Sequence, residues 1–233
     1  MLYAYAAFVL AFVLLPVVYV FPLGLGNLDA ITQEIYVTGL VNSFQLGLFT
    51  AVVTVVFATI AAHFYRYVEH KNAYLVFLSL PLFVPGDTHA IVIAVFAKQV
   101  GLSLDFWTLA ASHVYYTFPF AFLMILATMA SLPENVVAAA HDLGATPLRA
   151  FWDVELPIVV DGVISGFLVA FLLSINEAPR ASVLGGRFDT ISGLIFSFYE
   201  SVGLNQTLFS INLFLVVFAI VTIIVILSIV VLR

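Results

Sequence analysis

An all-α integral membrane protein with about six transmembrane helices is the fold class this sequence predicts, and two observations predict it. The first is composition. Of 233 residues, 64% are hydrophobic and 9% charged, with a mean hydropathy of +1.20, whereas a soluble domain carries about 25% charged residues. That supply cannot clothe a water-facing surface, so lipid must cover much of the exterior. The second is segmentation. Apolar runs of the length a helix needs to cross the hydrocarbon core recur at 2–22, 42–64, 73–97, 107–130, 158–178 and 208–232. Polar or Gly/Pro-marked stretches separate them at 23–41, 65–72, 98–106, 131–157 and 179–207. The runs do not alternate as barrel strands do, and a helix satisfies its own backbone in lipid.

The first run is also where a secretory signal would lie. Such a signal opens with a basic segment, and no Lys or Arg precedes Arg66, so 2–22 reads as a true span. No internal repeat, low-complexity tract or soluble unit interrupts the rest, and 1–233 reads as one transmembrane domain. In the third run, Pro81, Pro85 and Gly86 should kink or unwind the helix around Asp87, which is tolerable only where protein or water surrounds it. With both termini cytoplasmic, that side holds Arg66, Lys71, Arg149 and Arg233, and the other Lys98, Arg180 and Arg187. This count is too even for the positive-inside rule to orient the chain. The absence of cysteine excludes disulfides and thiolate metal sites. A net charge of −6 argues against nucleic acid as a partner.

The connection 131–157 is the most informative stretch. Ser131 followed by Glu134 fits a capping box. Ala138, Ala139 and Ala140 favour helix and present a thin surface. Gly144 suits a left-handed stop, Thr146-Pro147 a new cap and first turn, and Pro157 marks the passage into the fifth run. The chemistry predicts a helix–turn–helix knob on the membrane surface; an ordinary amphipathic connector would carry the same signals.

The spacing adds a resemblance. Ala139-Ala140, then Gly144, then nine residues from Ala145 to Asp153, then Val154-Glu155-Leu156-Pro157 resembles the signature loop of ABC importer permeases, Glu-Ala-Ala, three residues, Gly, nine residues, Ile-x-Leu-Pro. Ala138 stands where that pattern has Glu, and Val154 where it has Ile. Phe106 to Phe120 and Phe171 to Glu177 are similar to the fourth and fifth spans of spermidine/putrescine permeases, the C-type subunit above all. The resemblance implies a type I importer fold whose 131–157 loop is a cytoplasmic coupling helix, with Ala138, Ala139, Ala140, Asp142, Gly144, Arg149, Leu156 and Pro157 meeting the ATPase. It implies a multi-pass protein of a bacterial or archaeal plasma membrane, and three kinds of partner. These are a cytoplasmic ABC ATPase dimer, a second permease subunit (related or identical) and an extracytoplasmic solute-binding protein. The chain would itself be no enzyme and bind no cofactor, ATP and Mg being used by the ATPase. Consistent with that division, it lacks a Gly-x4-Gly-Lys-Ser/Thr phosphate loop.

Ionisable groups at membrane depth default to functional candidates. Asp87, and Glu177 with Asn176, read either as pathway residues attracting a cation or as carboxylates at span ends, Glu177 then pairing with Arg180. Tyr115, Tyr116 and Phe118 read as an aromatic gate or as packing. The histidines at 63, 70, 89, 113 and 141 show no metal-ligand spacing. Residues 191–200 are too short to span and too apolar for open water, and predict an interfacial or re-entrant helix. The four acids Glu134, Asp142, Asp153 and Glu155 against Arg149 predict a basic receiving cleft on the ATPase. With no Lys or Arg deep in a span, a cationic cargo such as a polyamine is expected. The alternative function is a secondary transporter with a broken-helix site; an intramembrane enzyme lacks its motifs.

Overall fold

A computed structural model of the chain describes residues 2–231, with side chains described for 18–221 except 134, and for 5, 8, 11, 12, 15 and 224. Helices fall in all six expected intervals. The elements are α1 (Leu2–Gly24), α2 (Glu34–Tyr65), α3 (Lys71–Ser79), α4 (Gly86–Val100), α5 (Phe106–Met129), α6 (Glu134–Asp142), α7 (Pro147–Ala150), α8 (Leu156–Ile175), α9 (Ala178–Leu184), α10 (Ile191–Val202) and α11 (Gln206–Val231). Among the described residues, three helices are long and apolar enough to cross a membrane, or four if a bent pair counts as one. Side chains in the spans expected at 2–22 and 208–232 are described only in part, so the count of six is not established.

Three helices, α2, α5 and α8, form the core of the bundle. On α2 the buried face is almost entirely small: Gly39, Ser43, Gly47, Thr50, Ala51, Thr54, Ala58 and Ala62 follow one another at helical spacing. In lipid, burying apolar surface gives helices no reason to associate, so close van der Waals approach must hold them. A Cβ on Gly47 would stand 3.0 Å from Ile175, and one on Gly162 of α8 would stand 1.8 Å from the Thr128 hydroxyl of α5. Between these helices lies a thin polar layer. Thr54 and Thr117 share a 2.8 Å hydrogen bond, and fully buried His113 bonds the Ser174 hydroxyl at 2.8 Å.

The third span is broken as its prolines require. Pro81 opens a 3-10 turn over Leu80–Phe83. Val84, held extended by the following Pro85, has ψ of 116°, and α4 restarts at Gly86 after a bend of 90°. Asp105 caps α5 by accepting from the Trp107 and Thr108 amides. The Ser103 hydroxyl and those amides hold its carboxyl below the usual aspartate range. Residues 191–202 form α10, packed against α2, α9 and α11.

The connector forms two short helices, but the capping box does not form. Pro133 has φ of −64° and ψ of 133° and occupies the N-cap of α6, while the Ser131 hydroxyl donates to the Thr128 carbonyl at 2.6 Å. Proline disfavours the helical region for its predecessor, so Leu132 does not become the first helical residue that a Ser131 cap needs, and α6 starts at Glu134, whose side chain lies outside the described residues. At the far side of the knob, α7 and α8 run continuously as one 29-residue helix, Pro147–Ile175. A π-turn over Phe151–Glu155 joins them. Pro157 offers no amide to the preceding turn, and the wider π turn sits where that bond is missing.

Candidate functional site

Two groups of residues stand out, one at each end of the three-helix core. The first is the knob at the loop end. Gly144 adopts φ of 87°, and the amide of Ala145 returns to the Ala140 carbonyl at 3.0 Å, a Schellman stop for α6. His141 donates a ring N–H to the Ala145 carbonyl at 3.0 Å. Thr146 then accepts from the Arg149 amide at 3.3 Å and starts α7. The turn leaves Ala138, Ala139, Asp142, Gly144, Arg149 and Pro157 exposed, Ala140 and Leu156 half-buried, and the space beyond Gly144 open.

Sequence reasoning did not single out the apolar tip of this knob. Leu143 is 90% exposed, Leu148 69% and Trp152 58%, an arrangement that water alone does not favour. Nor did it foresee the anchor. Glu155, counted above among the acids offered to a partner, is 1% exposed. Its carboxylate meets His63 Nδ1 at 2.7 Å and the Arg66 guanidinium at 3.3 Å, both at the loop end of α2. Asp153 is likewise spoken for, paired with Arg149 at 3.1 Å. Two of the four acids behind the expected basic cleft are therefore matched within the chain, and Asp142 is the exposed acid that remains described.

The second group lies at the opposite end, where α8 gives way to α9 beside the break in the third span. Glu177 is the N-cap of α9 and accepts from the Arg180 amide. Its Oε1 also meets Arg180 Nη1 at 2.7 Å. Arg180 is 2% exposed. Its guanidinium lies 4.3 Å from the Tyr116 ring centroid, and its Nε donates to His89 Nδ1 at 3.4 Å. The Ser112 hydroxyl lies 3.3 Å from the same nitrogen, and Tyr115 stacks on the His89 ring at 4.5 Å. Gly86 permits the approach of α4: a Cβ there would stand 3.2 Å from Arg180 Nη1.

Of the expected pathway residues, then, the fold brings Glu177, Tyr116 and Tyr115 together. It does not bring in the other three. Asp87 is exposed in the first turn of α4. Asn176 is exposed and donates to the Leu172 carbonyl at 2.8 Å. Phe118 stacks on Phe122 within the apolar cluster around Ala58, Ile125 and Met129. Arg180 lies on α9, outside the expected spans, yet it is buried, so the carboxylate of Glu177 already has a cation beside it. Its only signal in the sequence was its position three residues after Glu177. Among the described residues no group of three or more His, Cys, Asp or Glu is placed to hold a metal ion.

With this geometry in view, similarity to known proteins is specific. Residues 70–233 match the family model described as binding-protein-dependent transport system inner membrane component. The chain is 28% identical over 175 residues to a spermidine/putrescine transport system permease protein PotC homolog of Mycoplasma genitalium, covering 72% of this chain and 61% of that protein. To the PotC protein of Escherichia coli it is 28% identical over 195 residues, covering 79% of this chain and 72% of the relative. The match thus spans less than two thirds of the Mycoplasma protein. Among solved structures, a bacterial ABC transporter involved in import of the acidic polysaccharide alginate superposes with a TM-score of 0.73 at 15% identity, over 97% of this chain and 92% of that one. The MetNI methionine ABC transporter gives 0.67 at 16% identity, over 82% and 91%. At these identities the likeness is one of fold.

Proposed function

The chain belongs to the family of binding-protein-dependent transport system inner membrane components, and from that premise we propose that it is the permease subunit of an ATP-driven importer. In this reading it forms half of a solute pathway with a second permease subunit, receives solute from an extracytoplasmic binding protein, and leaves ATP hydrolysis to a cytoplasmic ATPase dimer. The knob 131–157 then lies in the cytoplasm.

The single observation that carries the reading is the construction of the knob. Its tip is apolar and exposed at Leu143 and Leu148, its base is pinned to α2 by buried Glu155, and its second helix is continuous with α8. A push on the tip is therefore delivered to two of the three core helices as rigid bodies, which is what alternating access requires. The experiment is uptake into proteoliposomes by the reconstituted complex, driven by ATP alone. The broken third span favours a second reading, a secondary transporter. Uptake that ignores ATP but follows an imposed ion gradient would establish that reading instead.

For the cargo, the names of the relatives support a polyamine. A carboxylate beside an aromatic face at the helix break, Glu177 with Tyr116, suits a cation, and Asp87 adds a second, exposed carboxylate. Under this reading Glu177→Gln and Asp87→Asn each reduce polyamine uptake while the ATPase still assembles, and the double variant is worst. Undiminished uptake by the double variant would exclude it.

A further inference from the structure

We propose that Glu177 and Tyr116 form a binding site for a guanidinium or primary ammonium group, and that Arg180 is its resident occupant, which a cationic cargo must displace. The proposal deepens the polyamine reading above and rests on it for the identity of the displacing ligand.

The geometry is that of a cation site with its cation in place. A carboxylate oxygen lies 2.7 Å from Arg180 Nη1, and the Tyr116 ring lies 4.3 Å beneath the guanidinium carbon. His89 Nδ1 accepts from Nε at 3.4 Å. Gly86 lies on another side, where an added Cβ would stand 3.2 Å from Nη1 and 3.5 Å from the Glu177 carboxylate, a tight fit. A plain helix-cap contact needs none of this: the N-cap of α9 is already satisfied by the Arg180 amide.

The enclosure is also uneven. Arg180 is sealed at 2% exposure, whereas Tyr116 is half-buried, which makes the aromatic wall the side of the cage nearest the exterior. Arg180 itself rides on α9, whose Ala181 and Leu184 pack in the cluster with Leu46 and Leu109, so displacement is a movement of the Arg180 side chain and not of the helix. A buried carboxylate stripped of its partner is strongly disfavoured. Arg180 can therefore leave only as another cation arrives, and the site opens to cations while staying closed to anions and to neutral solutes.

The test uses the assembled complex carrying Arg180→Ala, with thermal unfolding read in methylguanidinium chloride against equal sodium chloride. The expected result is a saturable, millimolar stabilisation of Arg180→Ala, absent from the wild type and from the Glu177→Gln/Arg180→Ala double variant. No stabilisation, or equal stabilisation of the double variant, would overturn the proposal. If Arg180→Ala does not assemble, Arg180→Lys provides the reading. A weaker resident should lower the half-saturating spermidine concentration for uptake about threefold or more, and an unchanged or raised value overturns the idea. The two levels fail separately. Methylguanidinium rescue without any polyamine uptake would support the cage and end the polyamine reading, and uptake without rescue would do the reverse.

Discussion

Glu155 and Glu177 flank the two ends of the same helix, α8, and each is a buried carboxylate paired with an arginine. Their partners make them different devices. Arg180 stands three residues beyond Glu177 on the cap of a short helix, so the pair itself is made by neighbours in the chain, and α5 and α4 add only its surroundings. Glu155 reaches His63, 92 positions away on α2, and exists only when the bundle is assembled. A local pair builds a site, while a long-range pair carries movement between elements. Under the function proposed above, that is the division of labour expected when solute is bound at one end and force received at the other.

The comparison can be broken most severely at Glu155. Glu155→Ala leaves Arg66 and His63 facing a space without a counter-charge, and breaking a buried pair costs about 3 kcal/mol or more. Thermal unfolding should fall accordingly, and ATP hydrolysis should continue without uptake in whatever complex survives. A double-mutant cycle of Glu155 with Arg66 should show clear coupling; additive losses would mean the anchor transmits nothing. Gly162→Val comes next. Its Cβ would collide with Thr128, forcing α5 and α8 apart at an expected loss of about 1–3 kcal/mol, and a variant of wild-type stability would contradict the packing described.

Gly144 discriminates within the knob. Its φ of 87° disfavours ordinary side chains by about 1–2 kcal/mol, but nothing in this chain crowds the position. Gly144→Asn, a residue that tolerates that conformation, should therefore preserve the isolated subunit. Gly144→Leu should lose ATPase assembly in co-purification, because only a partner meets the added bulk. The smallest effect is expected at Arg149→Ala. Its pair with Asp153 is 75% and 60% exposed, and such pairs contribute about 0.5 kcal/mol at most between i and i+4.

What the sequence made legible is what neighbours in the chain decide. Apolar runs placed the helices, Pro81, Pro85 and Gly86 placed the break, and Gly144 with Thr146-Pro147 placed the turn of the knob. Ser131 misled because Pro133, two residues on, overrides a capping box. Glu155 reads in the sequence as a surface acid because nothing nearby in the chain reveals the imidazole and guanidinium that bury it. The sequence offers Arg180 as a partner for Glu177, but its burial depends on Tyr116 and His89, which α5 and α4 deliver from elsewhere. The exposed tip of Leu143 and Leu148 was hidden for a plainer reason. In a chain this apolar, two further leucines carry no signal until the fold shows that they face outward.

The central claim is that the loop end of the bundle, and not the opposite end, meets the ATPase. The chain has no cysteine of its own, so single replacements report cleanly by cross-linking in membranes containing the whole complex. Leu148→Cys, at the 69% exposed tip of the knob, is compared with Trp107→Cys, 67% exposed at the start of α5. The account predicts a cross-link from position 148 to the ATPase subunit and none from position 107. No ATPase adduct at 148, or an equal one at 107, would contradict it.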